Sequence, residues 1–182
     1  ASGATGASAT IENAAAATLG VDLANKATGT TGAGATGGLT YGIYQTANSG
    51  GDSSTSFTND GGASVSVDDE AVASAGSASA SGSLTFGVFQ VVTGADSATA
   101  TLANGADATL GVDLTNKATG TTGAGATGGL TFGIYQTANS SGDSSTSFTN
   151  DGDASVVVDN EAVASAGSAS ASGSLTYGVY QT

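Results

Sequence analysis

From Ala71 to Gln90 the chain alternates with period two. Val72, Ser74, Gly76, Ala78, Ala80, Gly82, Leu84, Phe86 and Val88 fall on one side, and Ala71, Ala73, Ala75, Ser77, Ser79, Ser81, Ser83 and Thr85 on the other. One face is apolar or small and the other hydroxylated, which is the pattern of a β-strand rather than a helix. A single strand of this length is unusual, so a break is expected near Gly76 or Gly82. The stretch Lys117 to Gln136 behaves similarly. A stronger marker is LTYGIYQ at Leu39 to Gln45, which returns as LTFGVFQ (Leu84 to Gln90), LTFGIYQ (Leu130 to Gln136) and LTYGVYQ (Leu175 to Gln181). Read by period two, Leu39, Tyr41 and Ile43 share one face, and the intervening glycine leaves a gap for a cross-strand ring. This is the expected core strand.

Around each marker the pattern predicts three strands in about 45 residues. Besides the marker strand there is a Ser/Thr strand (Ser53 to Asn59; Ser97 to Asn104) and a short Val strand ending in Asp (Ala63 to Asp68; Ala108 to Asp113). The turns Asn59-Asp60-Gly61 and Asn104-Gly105 have the chemistry of tight hairpins. Only Ala14 to Ala17 suggests helix, and Thr18-Leu19-Gly20-Val21 ends it. The predicted fold class is all-β.

Residues 18–91 recur as 109–182 with 65 of 74 positions identical. Such repetition marks architectures that stack like on like. The expected organisation is two tandem β-sandwich-like repeats of about 91 residues, each made of two quarter repeats. Unit 1 spans 1–91, with 1–17 as a divergent docking or donor segment, and unit 2 spans 92–182. A β-solenoid is the alternative, disfavoured because 45 residues is long for one rung.

Composition narrows the chemistry. There is no Cys, His, Trp, Met, Pro or Arg, and the only cations are Lys26 and Lys117. The usual acid–base and thiol chemistry is thereby missing, as are soft-ligand metal sites, and no catalytic role is expected. A net charge of −13 opposes binding to nucleic acid or anionic membranes, which require Lys and Arg. No apolar run approaches the ~20 residues that span a bilayer. Small residues at Ala1-Ser2-Gly3 resemble the start left by signal-peptide cleavage, so secretion to the cell exterior or surface is expected.

Val, Ile, Leu and Phe number only 30 of 182 residues, a thin core that calls for support from neighbouring subunits. Pro and Lys, the usual guards of strand edges, are absent or nearly so. Ala1 to Ala17 aligns with Val92 to Ala108, so one copy following another would continue the repeat head to tail. The residues expected at that interface are Tyr177 and Tyr180 in the last marker strand, with Ala9 and Ile11 in the N-terminal segment. No cofactor is required on this reading. Calcium is the one ion suggested, through the turn carboxylates Asp151, Asp153 and Asp159. The expected function is a secreted structural subunit forming a filament, tube or matrix from copies of itself. The alternatives are a surface adhesin or calcium-dependent glycan-binding module and, behind it, an ice-binding protein with threonine arrays such as Thr28/Thr30, Thr99/Thr101 and Thr119/Thr121.

Overall fold

The computed structural model describes residues 1–182 as strands and turns. The strands are β1 (Ser2–Gly3), β2 (Gly6–Asn13), β3 (Thr18–Gly29), β4 (Gly32–Ser49), β5 (Asp52–Asn59), β6 (Gly62–Ala73), β7 (Ser77–Gly94), β8 (Ser97–Asn104), β9 (Thr109–Gly120), β10 (Gly123–Ser140), β11 (Asp143–Asn150), β12 (Asp153–Ala164) and β13 (Ser168–Gln181). Lengths of 8, 12 and 18 residues recur in that order. Strands of one length gather into one sheet. The short sheet is ordered β11-β8-β5-β2, the middle sheet β12-β9-β6-β3, and the long sheet β1-β4-β7-β10-β13. Every pairing is parallel. The chain visits short, middle and long sheet in turn and then steps one strand along each, making four rungs of a solenoid-like coil.

All-β is therefore correct, but the two expected sandwiches do not form. Sandwiches pair neighbouring strands through hairpins, whereas here equivalent segments 45 or 46 residues apart lie side by side, Leu39 on Leu84 on Leu130 on Leu175. Asn59-Asp60-Gly61 is not a hairpin; it carries the chain from β5 in the short sheet to β6 in the middle sheet. The expected break falls at Gly76, between β6 and β7, while Gly82 lies inside β7. Residue 91, the end of the first repeat unit, also lies inside β7. Ala14 to Ala17 form the turn between β2 and β3, and Ala16 is the one non-glycine residue with positive φ, 62°.

Strand lengths explain how so few large apolar residues suffice. An 18-residue strand of the long sheet faces an 8-residue and a 12-residue strand, 20 residues together, so the rung is flat. Its centre holds Phe57, Val65, Val67, Leu84, Val88, Leu102, Leu110, Val112 and Leu114, all fully or nearly fully buried. On one side the long and middle sheets meet through alanines alone, among them Ala71, Ala80, Ala118 and Ala126. On the other, Ala47, Val92, Ala98 and Ala100 join the long and short sheets. Small side chains let these margins close together, so large ones are needed only in the centre.

Within the marker strand the alternation breaks. Thr85 and Gly87 are skipped in the register that pairs Leu84, Phe86 and Val88 with their neighbours. Leu84 and Val88 are buried, yet Phe86 is only half-buried on the outer face and meets Phe89 edge to face. Tyr41 is likewise 39% exposed while Ile43 is 4% exposed, so Leu39, Tyr41 and Ile43 do not share a face as period two predicts. The glycine makes this turn of the backbone possible. A Cβ on Gly87 would lie 2.5 Å from Val112 Cγ1 and from the Gly133 carbonyl oxygen. The residue faces the core, and it is not a gap beneath an aromatic ring.

Candidate assembly interface

Stacking like on like places each polar residue beside its own equivalent, and buried ones need partners. Three ladders supply them. At the turn from short to middle sheet, the Nδ2 of Asn13 donates to Asn59 Oδ1 (2.7 Å), Asn59 to Asn104 (2.6 Å) and Asn104 to Asn150 (2.7 Å). The same Nδ2 groups donate to the carbonyls of Gly62, Thr109 and Asp153, tying the two sheets together. In the long sheet Gln90, Gln136 and Gln181 each donate to the glutamine one rung before. Gln90 and Gln136 also reach the short sheet, at the carbonyls of Thr101 and Ser147. The signal for these ladders is visible as Gln at 45, 90, 136 and 181 and Asn at 13, 59, 104 and 150. By period and turn chemistry alone, they are only strand and turn punctuation.

Charges obey the opposite requirement, because equal charges at the strand spacing of ~4.8 Å repel by about 1 kcal/mol even at water's dielectric constant. Position by position they alternate. Lys26, Glu70, Lys117 and Glu161 form one row, with Lys26 to Glu70 at 2.7 Å and Lys117 to Glu161 at 2.8 Å. The Lys117 pKa is raised by the hydrogen bond and charge of Glu161. Asp22, Asp113, Asp68, Asp159, Asp52 and Asp143 each have an uncharged residue in the adjoining strand, and no acid pairs with an acid. This alternation accounts for a sequence that repeats best over two rungs, although one rung is the structural unit.

The third ladder runs along the middle sheet through Asn25, Asp69, Asn116 and Asn160, against Gly37, Gly82 and Gly128 of the long sheet. Asn25 donates to Asp69 Oδ1 and Asn116 donates to Asn160 Oδ1, both at 2.8 Å. Between them the row is interrupted. Asp69 Oδ2 and Asn116 Oδ1 are buried without a hydrogen-bond partner, and both lie within 3 Å of where a Gly82 Cβ would stand. Two acceptors meet there with no donor between them, and a proton on Asp69 would supply one. Burial raises the Asp69 pKa and the charge of Asp68 adds to this, against the Asn25 side chain and a Gly37 backbone hydrogen bond.

At the ends of the coil these ladders stop open. Rung 4 leaves Leu175 at 44% and Val179 at 46% exposure, whereas Leu130 and Ile134, one rung inside, are at 1% and 2%. An opening between β12 and β13 is lined by Val158, Asn160, Gly173 and Leu175. Tyr177 and Tyr180 lie on β13, on the outer face, stacked 5.1 Å and 5.2 Å from Phe132 and Tyr135. Ala9 and Ile11 lie on β2 at the opposite end. Within that segment β2 is not a free donor arm, because it pairs along its length with β5 of its own chain. Asp151 follows β11, Asp153 begins β12 and Asp159 lies six residues further along that strand. At ~3.3 Å per residue the last two are about 20 Å apart, and no group of three carboxylates is gathered for a metal. Comparison with protein-family models, with curated proteins and with solved structures returns no match.

Proposed function

We propose that this chain is a non-catalytic structural unit that stacks end to end, copy upon copy, into a filament outside the cell. One observation carries the reading: the two open faces of the coil are complementary. Rung 4 offers Glu161 where rung 1 offers Lys26, and the rows they end already alternate in sign. The Gln45 Nε2 group, held by the carbonyls of Ala9 and Ser56, stands where Gln90 and Gln136 donate to the preceding rung. Stacking also covers the exposed ends of the core and pairs the open edges of all three sheets, which otherwise invite association. The extracellular setting rests on composition, an acidic chain of net charge −13 with two lysines and no cysteine.

Gly178 provides the test. A Cβ on Gly42, Gly87 or Gly133 would overlap Val65, Val112 or Val156, always on the following rung, whereas Gly178 has nothing within 4 Å. In a stack, Val21 of the next copy takes that position. The variant Gly178→Val is expected to fold as wild type by circular dichroism and to form no filaments by electron microscopy, while Gly87→Val misfolds. Normal filaments from Gly178→Val refute end-to-end stacking.

A second reading has one observation in its favour. Ser8, Ser54, Thr99 and Ser145, with Thr10, Ser56, Thr101 and Ser147, form two adjacent hydroxyl rows across the short sheet. This is the regular array that an ice-binding surface requires, and a thermal-hysteresis measurement on the unassembled chain decides it.

A further inference from the structure

The charges of this molecule are confined to two of its three sheets and the turns. All 15 acidic residues and both lysines lie outside β4, β7, β10 and β13, and the long sheet carries no charged side chain. Its outer face has two unlike halves. Toward the strand starts it is flat and small, with rows such as Gly34, Ser79, Gly125 and Ser170. From mid-strand onward stand two columns of rings, Tyr41 to Tyr177 and, three residues further on, Tyr44 to Tyr180. Successive rings lie 5.1 to 5.2 Å apart and within 10° of parallel. Tyr44 is 52% and Tyr177 46% exposed.

We propose that this face pairs laterally with the same face of a second copy, across a two-fold axis parallel to the coil. With the axis placed beside the inner ring column, on its Gly/Ser side near Ser83, that operation lays the ring columns of each copy over the Gly/Ser half of the other, bulk against flatness. A second copy is the occupant because two molecules of charge −13 repel through every other face and present no opposed charges through this one. The area is adequate. The 14 residues that all four strands share, at ~3.3 Å each, and four strands at ~4.8 Å give a face of about 900 Å², against roughly 800 Å² per partner in a stable interface. Rings in extended rows are also the side chains that supply contact area with little loss of freedom. The pairing is independent of end-to-end stacking, although in a filament it joins two strands of stacked copies.

The test separates the two contacts. In the Gly178→Val background, which removes stacking, sedimentation equilibrium is expected to show a discrete dimer that tightens as salt is raised from 0.01 to 0.15 M. Over that range the Debye length falls from about 30 Å to about 8 Å and like-charged copies repel less. Adding Tyr135→Lys, in the middle of the outer columns, is expected to weaken the dimer at least tenfold with circular dichroism unchanged. Thr115→Lys, the same charge on the middle sheet, leaves the dimer intact. In wild-type filaments Tyr135→Lys is expected to halve the width seen by electron microscopy without shortening them. A monomer in the Gly178→Val background at 0.15 M salt, or a dimer indifferent to Tyr135→Lys, overturns lateral pairing. A dimer without filaments in the wild type overturns stacking and leaves lateral pairing standing.

Discussion

Replacing Asp69 by Asn is expected to make this protein more stable at neutral pH, although it alters a residue only 1% exposed. The variant restores a continuous amide ladder. Its Nδ2 takes the place of the orphaned Oδ2 and donates to Asn116 Oδ1, removing both unpartnered acceptors at once. Relieving a buried unsatisfied polar group gains about 1–3 kcal/mol, which in a chain of this size raises Tm by about 2–12 °C at ~2–4 °C per kcal/mol. The sign of the pH dependence follows from the raised pKa of Asp69. The folded state holds the proton more tightly than the unfolded chain, whose aspartate titrates near pH ~3.9. The stability Asp69 contributes is therefore complete below that pH and is lost as pH rises through its folded pKa. The neighbours that pack on it, Asn25, Asn116, Gly37 and Gly82, are uncharged, and Asp68 is the charge nearest in effect. Asp113, also raised by burial and then by Asp68, contributes a slope of the same sign, so Asp113→Asn is the control. Thermal melts of wild type and variant from pH 3 to 8 are expected to converge at low pH and separate above it. Carboxyl carbon NMR reads the Asp69 titration directly. A variant less stable at pH 7 refutes the unpartnered pair at Gly82, and an Asp69 carboxyl titrating at or below ~3.9 refutes the raised pKa.

Two further outcomes are expected. Asn104→Ala removes three hydrogen bonds at a residue 1% exposed and should cost about 3 kcal/mol by urea denaturation, against far less for the exposed Asn150→Ala. Glu161→Lys, which places a cation between Lys117 and the next copy's Lys26, is expected to slow filament growth at 0.01 M salt, with the deficit shrinking by 0.15 M as screening sets in. Growth rates followed by light scattering that are insensitive to both changes remove the charge row from the joint.

Much of the local structure was legible in the chain. Period-two alternation located the strands around Ser53 to Asn59, Ala63 to Asp68 and Leu84 to Gln90, and the spacing of the marker motif equals the rung. Which strand lies beside which was not legible, because alternation describes the two faces of a strand and says nothing of its edges. Asn59-Asp60-Gly61 suits a hairpin or a corner equally well, and the parallel pairing of segments 45 residues apart chose the corner. The direction of Tyr41 and Phe86 depended on the same choice. Only when Val65 and Val112 come to rest against Gly42 and Gly87 does the backbone have reason to break its alternation and turn the rings outward. Likewise Lys26, Glu70, Lys117 and Glu161 are four scattered charges in the sequence, and they become a row through in-register stacking alone. The sequence by itself determined the strands and their period. The tertiary structure decided what each strand touches, because contact between equivalent rungs is non-local and converts every repeated residue into a neighbour of its own kind.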